Sequence, residues 1–127
     1  MQNALLVGLG GFLGAIARYS LSSLALYWAG EGRFPFGTFT VNVLGCLLAG
    51  LLAGAAERYA VVSPEVRLLL FTGLLGGFTT FSAFGLEVLS LMRRGETGMA
   101  ALYVGGSVVL GIAAVWLGLR LIAWLPR

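Results

Sequence analysis

Gly73-Leu74-Leu75-Gly76-Gly77-Phe78-Thr79-Thr80-Phe81-Ser82-Ala83-Phe84-Gly85 lies in the middle of an apolar run from Val66 to Met92. A run of this length suits a bilayer-crossing helix, which needs about 20 mostly apolar residues. Its centre suits an unbroken helix poorly, because a Gly-Gly pair followed by two β-branched threonines is a natural place for a helix to break. Backbone opened at membrane depth is tolerated only where protein buries it or where it lines a cavity. The stretch therefore predicts a transmembrane helix broken near mid-membrane, with exposed carbonyls able to bind a cation. Beyond the break, Phe81 and Phe84 are three apart and share a helix face, with the hydroxyls of Thr80 and Ser82 beside them. The edge of an aromatic ring is electropositive, so two rings presented edge-on can coordinate a small anion. The alternative is ordinary packing or contact with lipid.

Three further apolar runs flank this one, at Ala4–Trp28, Phe36–Ala56 and Met99–Trp124. The breaks between runs carry charge together with Gly, Pro or both: Gly30-Glu31-Gly32-Arg33-Phe34-Pro35, Glu57-Arg58-Tyr59 on to Ser63-Pro64-Glu65, and Arg93-Arg94-Gly95-Glu96. Trp28, Tyr59 and Trp124 stand at span ends, where interfacial aromatics belong. The fold class is all-α and integral to the membrane, four transmembrane helices in one domain over residues 1–127. An open sheet is excluded because lipid offers nothing to an unpaired backbone group, and four spans are too few for a barrel.

Composition agrees. The chain is 59% apolar and only 10% charged, against roughly 25% charged in an ordinary soluble domain. It has no histidine, aspartate or lysine, and its net charge of +3 forms no basic patch that could track a nucleic acid. Without histidine, and with no nucleophile beside a base, an enzyme is disfavoured. Cys46 has no second cysteine to pair with and reads as a small core residue. The start lacks a basic segment and a cleavage site, so the first run reads as a retained helix. Gly8 to Gly14 superficially resembles a nucleotide loop but has neither the spacing nor a preceding strand.

An even number of spans puts Arg58, Arg67, Arg120 and Arg127 on one side and Arg33, Arg93 and Arg94 on the other, joined by Arg18 if it snorkels that way. Orientation follows an excess of arginine and lysine on the cytoplasmic side, so a near tie predicts insertion both ways up. Two opposed copies can then pair about an axis in the membrane plane, as inverted repeats do in larger transporters. The alternative is one orientation fixed by some other feature. Gly10 and Gly14, Gly50 and Gly54, and Gly73 and Gly77 are each four apart, which predicts close helix packing and oligomerisation.

Polar groups at membrane depth are costly and mark a pathway or a structural pair. Arg18, two thirds along the first span, either places positive charge in a watery vestibule or caps a neighbouring helix and snorkels. Thr38 and Asn42 share a face of the second span, and the Asn42 amide offers donors to a passing ion or to another helix. Tyr103 and Ser107 continue a line of hydroxyls in the fourth span. Glu87, three beyond Phe84, either faces the same path near its mouth or pairs with an arginine; the ion pair is the favoured reading.

Three segments carry a resemblance over essentially the whole chain. Gly10-Gly11-Phe12-Leu13-Gly14-Ala15-Ile16-Ala17-Arg18-Tyr19, Gly37-Thr38-Phe39-Thr40-Val41-Asn42-Val43-Leu44-Gly45 and Gly76 to Phe84 resemble, in order and spacing, the signatures of the Fluc/CrcB fluoride channels of bacteria and archaea. The resemblance implies an antiparallel, dual-topology homodimer in the cell membrane, with two pores that pass fluoride passively out of the cytoplasm. It implies that Phe81 and Phe84 are aromatic fluoride ligands, that Asn42 and Ser82 contact the ion, and that Thr38, Tyr103 and Ser107 extend the polar track. It further implies a central structural Na+ on the backbone carbonyls of Gly76 and Thr79, a vestibule shaped by Arg18, and Glu87 near the pore end. Two positions depart from the family pattern: Gly111 follows Ser107 where some members continue with a hydroxyl, and Ala83 stands where threonine is frequent. The rival reading is a small proton-coupled exporter of drugs or guanidinium compounds, also of four spans. It needs a carboxylate in the first span, where this chain has Arg18.

Overall fold

The computed structural model describes residues 1–60 and 62–126. Among the described residues four helices are long and apolar enough to cross a membrane: α1 (Gln2–Ala29), α2 (Phe36–Tyr59), α3 (Pro64–Arg93) and α4 (Thr97–Trp124). Their ends lie within one turn of the expected ones. Among the described residues there is no strand.

The helix ends follow from local chemistry. Gly30, at a φ of 70° that favours glycine, closes α1 with its N–H on the Leu26 carbonyl. Ser63 starts α3, its hydroxyl accepting from the Val66 amide at 3.3 Å, with Pro64 at the first helical position, where a missing N–H costs nothing. Arg58 of α2 reaches the far end of α4, donating to the carbonyls of Ala123, at 2.9 Å, and of Leu125. It thereby satisfies two of the carbonyls a helix leaves open at its C-terminus.

The break in α3 falls at Thr79 and Thr80, both extended, at φ −86° and −146°. Its first half begins as an α-turn (Pro64–Arg67), widens into a π-helix (Leu68–Leu75) and closes with one turn (Gly76–Phe78). Its second half is a regular helix (Phe81–Arg93). The Gly-Gly pair is thus still helical, which corrects its reading as part of the break. A Cβ on Gly77 would stand 2.5 Å from the Gly11 carbonyl oxygen, so this glycine serves contact with α1. The π-helical stretch is also where α1 lies closest, for a side chain on Gly10 or Gly14 would run into the carbonyls of Leu69 or Leu74. π turns are rare and concentrate where a helix serves something besides packing.

The other glycine pair joins α2 to α4. A Cβ on Gly118 would lie 2.6 Å from the Leu47 carbonyl, and one on Gly50 would strike that of Val115. A Cβ on Gly54 would lie 3.1 Å from Ile122 Cβ, so all three glycine pairs serve the close helix packing expected of them within the chain. Side chains bury little beyond these seams. A cluster of buried side chains, Leu91, Ala100 and Tyr103, joins the second half of α3 to α4 and is covered by Phe34, Phe39 and Phe84. Large apolar residues such as Phe12, Ile112 and Trp116 face outward, as a lipid solvent permits.

Candidate functional site

Opening a helix for two residues orphans carbonyls before the break and amides after it, each at a cost of several kcal/mol in lipid. Neighbouring side chains meet that cost here. Asn42 on α2 bonds reciprocally to Thr80: its Nδ2 donates to the Thr80 carbonyl and its Oδ1 accepts from the Thr80 amide, both at 2.9 Å. In a continuous helix that amide would have bonded to the Gly76 carbonyl. The Gly77 carbonyl, which would have accepted from Phe81, receives Arg18 Nε at 3.1 Å. Thr79 folds back, its amide and its hydroxyl both donating to the Leu75 carbonyl at 2.9 Å. Thr80 caps the second half, its hydroxyl accepting from the Ala83 amide at 3.3 Å and lying 3.5 Å from that of Ser82.

This geometry gives two of the open readings their structural partners. Asn42 makes an interhelical hydrogen bond and keeps one N–H free of that pair, since its amide carries two. Arg18 caps the broken helix, its Nε donating to the Gly77 carbonyl. It also lines a cleft of about 380 Å³ with Tyr19, Ser22, Ser23, Thr38 and Thr80. A smaller cavity of about 240 Å³ is lined by Asn42, Cys46, Thr79, Thr80 and Phe81.

Beyond the break, the rings of Phe81 and Phe84 stand 5.7 Å apart with their planes at 35°. Phe84 continues to Tyr103 at 5.0 Å, and Tyr103 to Phe34 at 5.4 Å. Phe84 is half-buried, while Phe81 is 83% exposed on the surface of the single chain. Sequence reasoning missed Phe34 and Phe39, which close the Tyr103 end of this row. Phe34 lies in the connection between α1 and α2, and only its position between Gly-rich and Pro-containing residues could have flagged it.

Glu87 corrects the expected ion pair. Its two carboxylate oxygens accept from the hydroxyls of Thr38 and Tyr103, each at 2.7 Å. One carboxylate thus ties α2, α3 and α4 together. Tyr103 is fully buried. Ser107, one turn further, has a buried hydroxyl oxygen with no hydrogen-bond partner. At Gly111 the line ends, since a Cβ there would lie 3.3 Å from the Cys46 sulfur.

Donors and ring edges suit an anion, and bare carbonyls suit a hard cation. Fold and site together define a multi-pass membrane protein organised around a broken third helix. Comparison with known proteins gives the family. Residues 5–119 match the CrcB-like, camphor-resistance family, to which this chain therefore belongs. It is 53% identical over 122 residues to the fluoride-specific ion channel FluC of Methylobacillus flagellatus, covering 96% of this chain and 95% of that one. The proteins of the same name from Nitratidesulfovibrio vulgaris and Chlorobaculum tepidum are 50% and 52% identical, each over more than nine tenths of both chains.

Proposed function

We propose that this protein is a fluoride-selective passive ion channel of the cell membrane, working as an antiparallel homodimer with two pores. The observation that carries the reading is the full-length similarity to relatives named fluoride-specific ion channels, together with the donor-lined break in α3. Hydrogen fluoride enters a cell as a neutral acid and ionises at cytoplasmic pH. The trapped anion then leaves down its own gradient, and no fuel is needed.

Each residue has a task in this scheme. The compact, strongly hydrated ion exchanges water for donors weak enough to release it. The free N–H of Asn42 and the hydroxyl of Ser82 supply hydrogen bonds, the edges of Phe81 and Phe84 supply partial positive charge, and Arg18 raises anion concentration in the cleft it lines. Thr38, Tyr103 and Ser107 carry the track onward, with Thr38 and Tyr103 orienting Glu87 near its end. Phe81, exposed on one chain, gains an enclosing partner only when a second copy packs against it. Arginine placement supports opposed orientations: Arg58, Arg67, Arg120 and Arg127, the last outside the described residues, stand in a near tie with Arg33, Arg93 and Arg94, and Arg18 is held at the break.

A structural Na+ fits the same break. The Gly76 carbonyl has lost its Thr80 partner to Asn42, and oxygen ligands suit a hard cation. The carbonyls of Gly76 and Thr79 would hold it and would gain a counter-charge for two oxygens no longer used by the helix.

The test is fluoride efflux from proteoliposomes loaded with potassium fluoride, started by a potassium ionophore and followed with a fluoride electrode beside a chloride-loaded control. Rapid fluoride release without a proton gradient, with little chloride release, is the expected result. Phe81→Ile or Phe84→Ile should sharply reduce it while the dimer stays assembled. Release that requires coupled proton movement would turn the reading to an exporter, although α1 has no carboxylate for that role.

A further inference from the structure

At the end of the molecule away from Glu87, the last turns of α2 and α4 enclose a cleft of about 460 Å³ that the ion path does not use. Gly54, Leu119, Ile122 and Ala123 form an apolar floor, and Glu57, Arg58 and Arg120 form a charged rim beside Trp116. The charges do not cancel. Arg58 spends its two terminal nitrogens on the carbonyls of Ala123 and Leu125, where it offsets the negative end of α4. Arg120 lies over the face of Trp116, 5.3 Å from the ring centroid, with its side chain exposed. One turn inside Trp124, an arginine sits at the level where headgroups meet acyl chains.

We infer that this cleft is a binding site for one anionic phospholipid, its phosphate paired with Arg120 and its first acyl segment laid on Leu119 and Ile122. An apolar floor under a basic rim matches the junction of headgroup and chain. Among the described residues no carboxylate pairs with Arg120, a phosphodiester without a compensating amine can supply that counter-ion, and a basic pocket between transmembrane helices is the usual form of such a site. Glu57 on the same rim disfavours a second negative charge, so the site suits a monoanionic headgroup such as phosphatidylglycerol.

Trp116 is a built-in reporter. Trp28→Phe with Trp124→Phe leaves it the sole tryptophan, and vesicles then carry either brominated phosphatidylglycerol or brominated phosphatidylcholine at equal mole fraction. The glycerol lipid should quench Trp116 about fivefold more effectively, the enrichment expected of one arginine near a membrane surface. Arg120→Gln should erase the preference and Arg120→Lys, which keeps the charge and guards against a misfolded variant, should retain it. Equal quenching by both lipids with Arg120 in place would overturn the inference, as would a preference that survives Arg120→Gln. Quenching by neither lipid would mean that protein covers the cleft. A preference abolished by millimolar inorganic phosphate would assign the site to a free anion, and either result overturns it too.

Discussion

The two halves of the third span are separated by two residues and held in opposite ways. The first half lies backbone to backbone against α1, through Gly10, Gly14, Gly73 and Gly77, with no room for a side chain at the contact. The second half stands off from its neighbours and meets them through side chains: Asn42 at Thr80, Thr38 and Tyr103 at Glu87, Phe84 on Tyr103. Close backbone contact yields dispersion and rigidity but exposes nothing chemical. Side chains at a distance leave donors and ring edges in a gap. The chain thus uses one seam as a frame and the other as a site, and substitutions should separate them.

The largest effect is expected in the frame. Gly77→Val puts a side chain onto the Gly11 carbonyl, 2.5 Å from where its Cβ must sit, and should cost about 3 kcal/mol or more. It should appear as loss of monodisperse protein and a lower midpoint of thermal unfolding in detergent. Gly85→Ala, in the second half, meets nothing within 4 Å and should leave that midpoint unchanged or raise it. Equal damage at both positions would erase the distinction between the seams.

Asn42→Ala comes next. It strands both the amide and the carbonyl of Thr80 and should cost about 2 kcal/mol, about 1 for each interhelical bond. Hydrogen exchange should speed up at Thr80 while the amides of α1 stay protected. Uniform deprotection would mean that the break is not a separate unit.

A smaller effect is expected where Glu87 gathers two hydroxyls. Thr38→Val and Tyr103→Phe each remove one bond, at about 1 kcal/mol. Because both bonds end on one carboxylate, the double variant should depart from additivity by about 0.5 kcal/mol or more. Strict additivity in thermal or denaturant unfolding would show that the hydroxyls do not share Glu87.

The same contrast governs what the sequence made legible. Four spans, and a break inside the third, follow from the length of the apolar runs and from Thr79 and Thr80, which are local signals. The purpose of Gly76-Gly77 was misread because a glycine that permits approach and one that permits a bend look alike until the neighbouring helix is placed. Glu87 was paired with the wrong partner for a related reason. Its hydroxyl donors come from positions 49 and 16 residues away, and the Gly77 carbonyl is met by an arginine 59 residues distant. Spacing within one helix says nothing about such pairings. Phe34 was overlooked because a residue between spans reads as connection, although its ring packs on a buried tyrosine.

Ser107 gives the smallest change in stability and the sharpest division between frame and site. Its hydroxyl oxygen is buried without a partner, and an unsatisfied buried polar group carries a desolvation penalty that removing it relieves. Ser107→Ala should therefore leave the unfolding midpoint unchanged or raise it, by the equivalent of about 1 kcal/mol at most. If the hydroxyl is kept to meet a passing anion, fluoride efflux from proteoliposomes should fall in the same variant. Stability and flux would then move in opposite directions, which no residue of the glycine seam can do, because there both depend on the same contact. If Ser107→Ala lowers neither, the hydroxyl serves neither frame nor site, and the polar line ends at Tyr103.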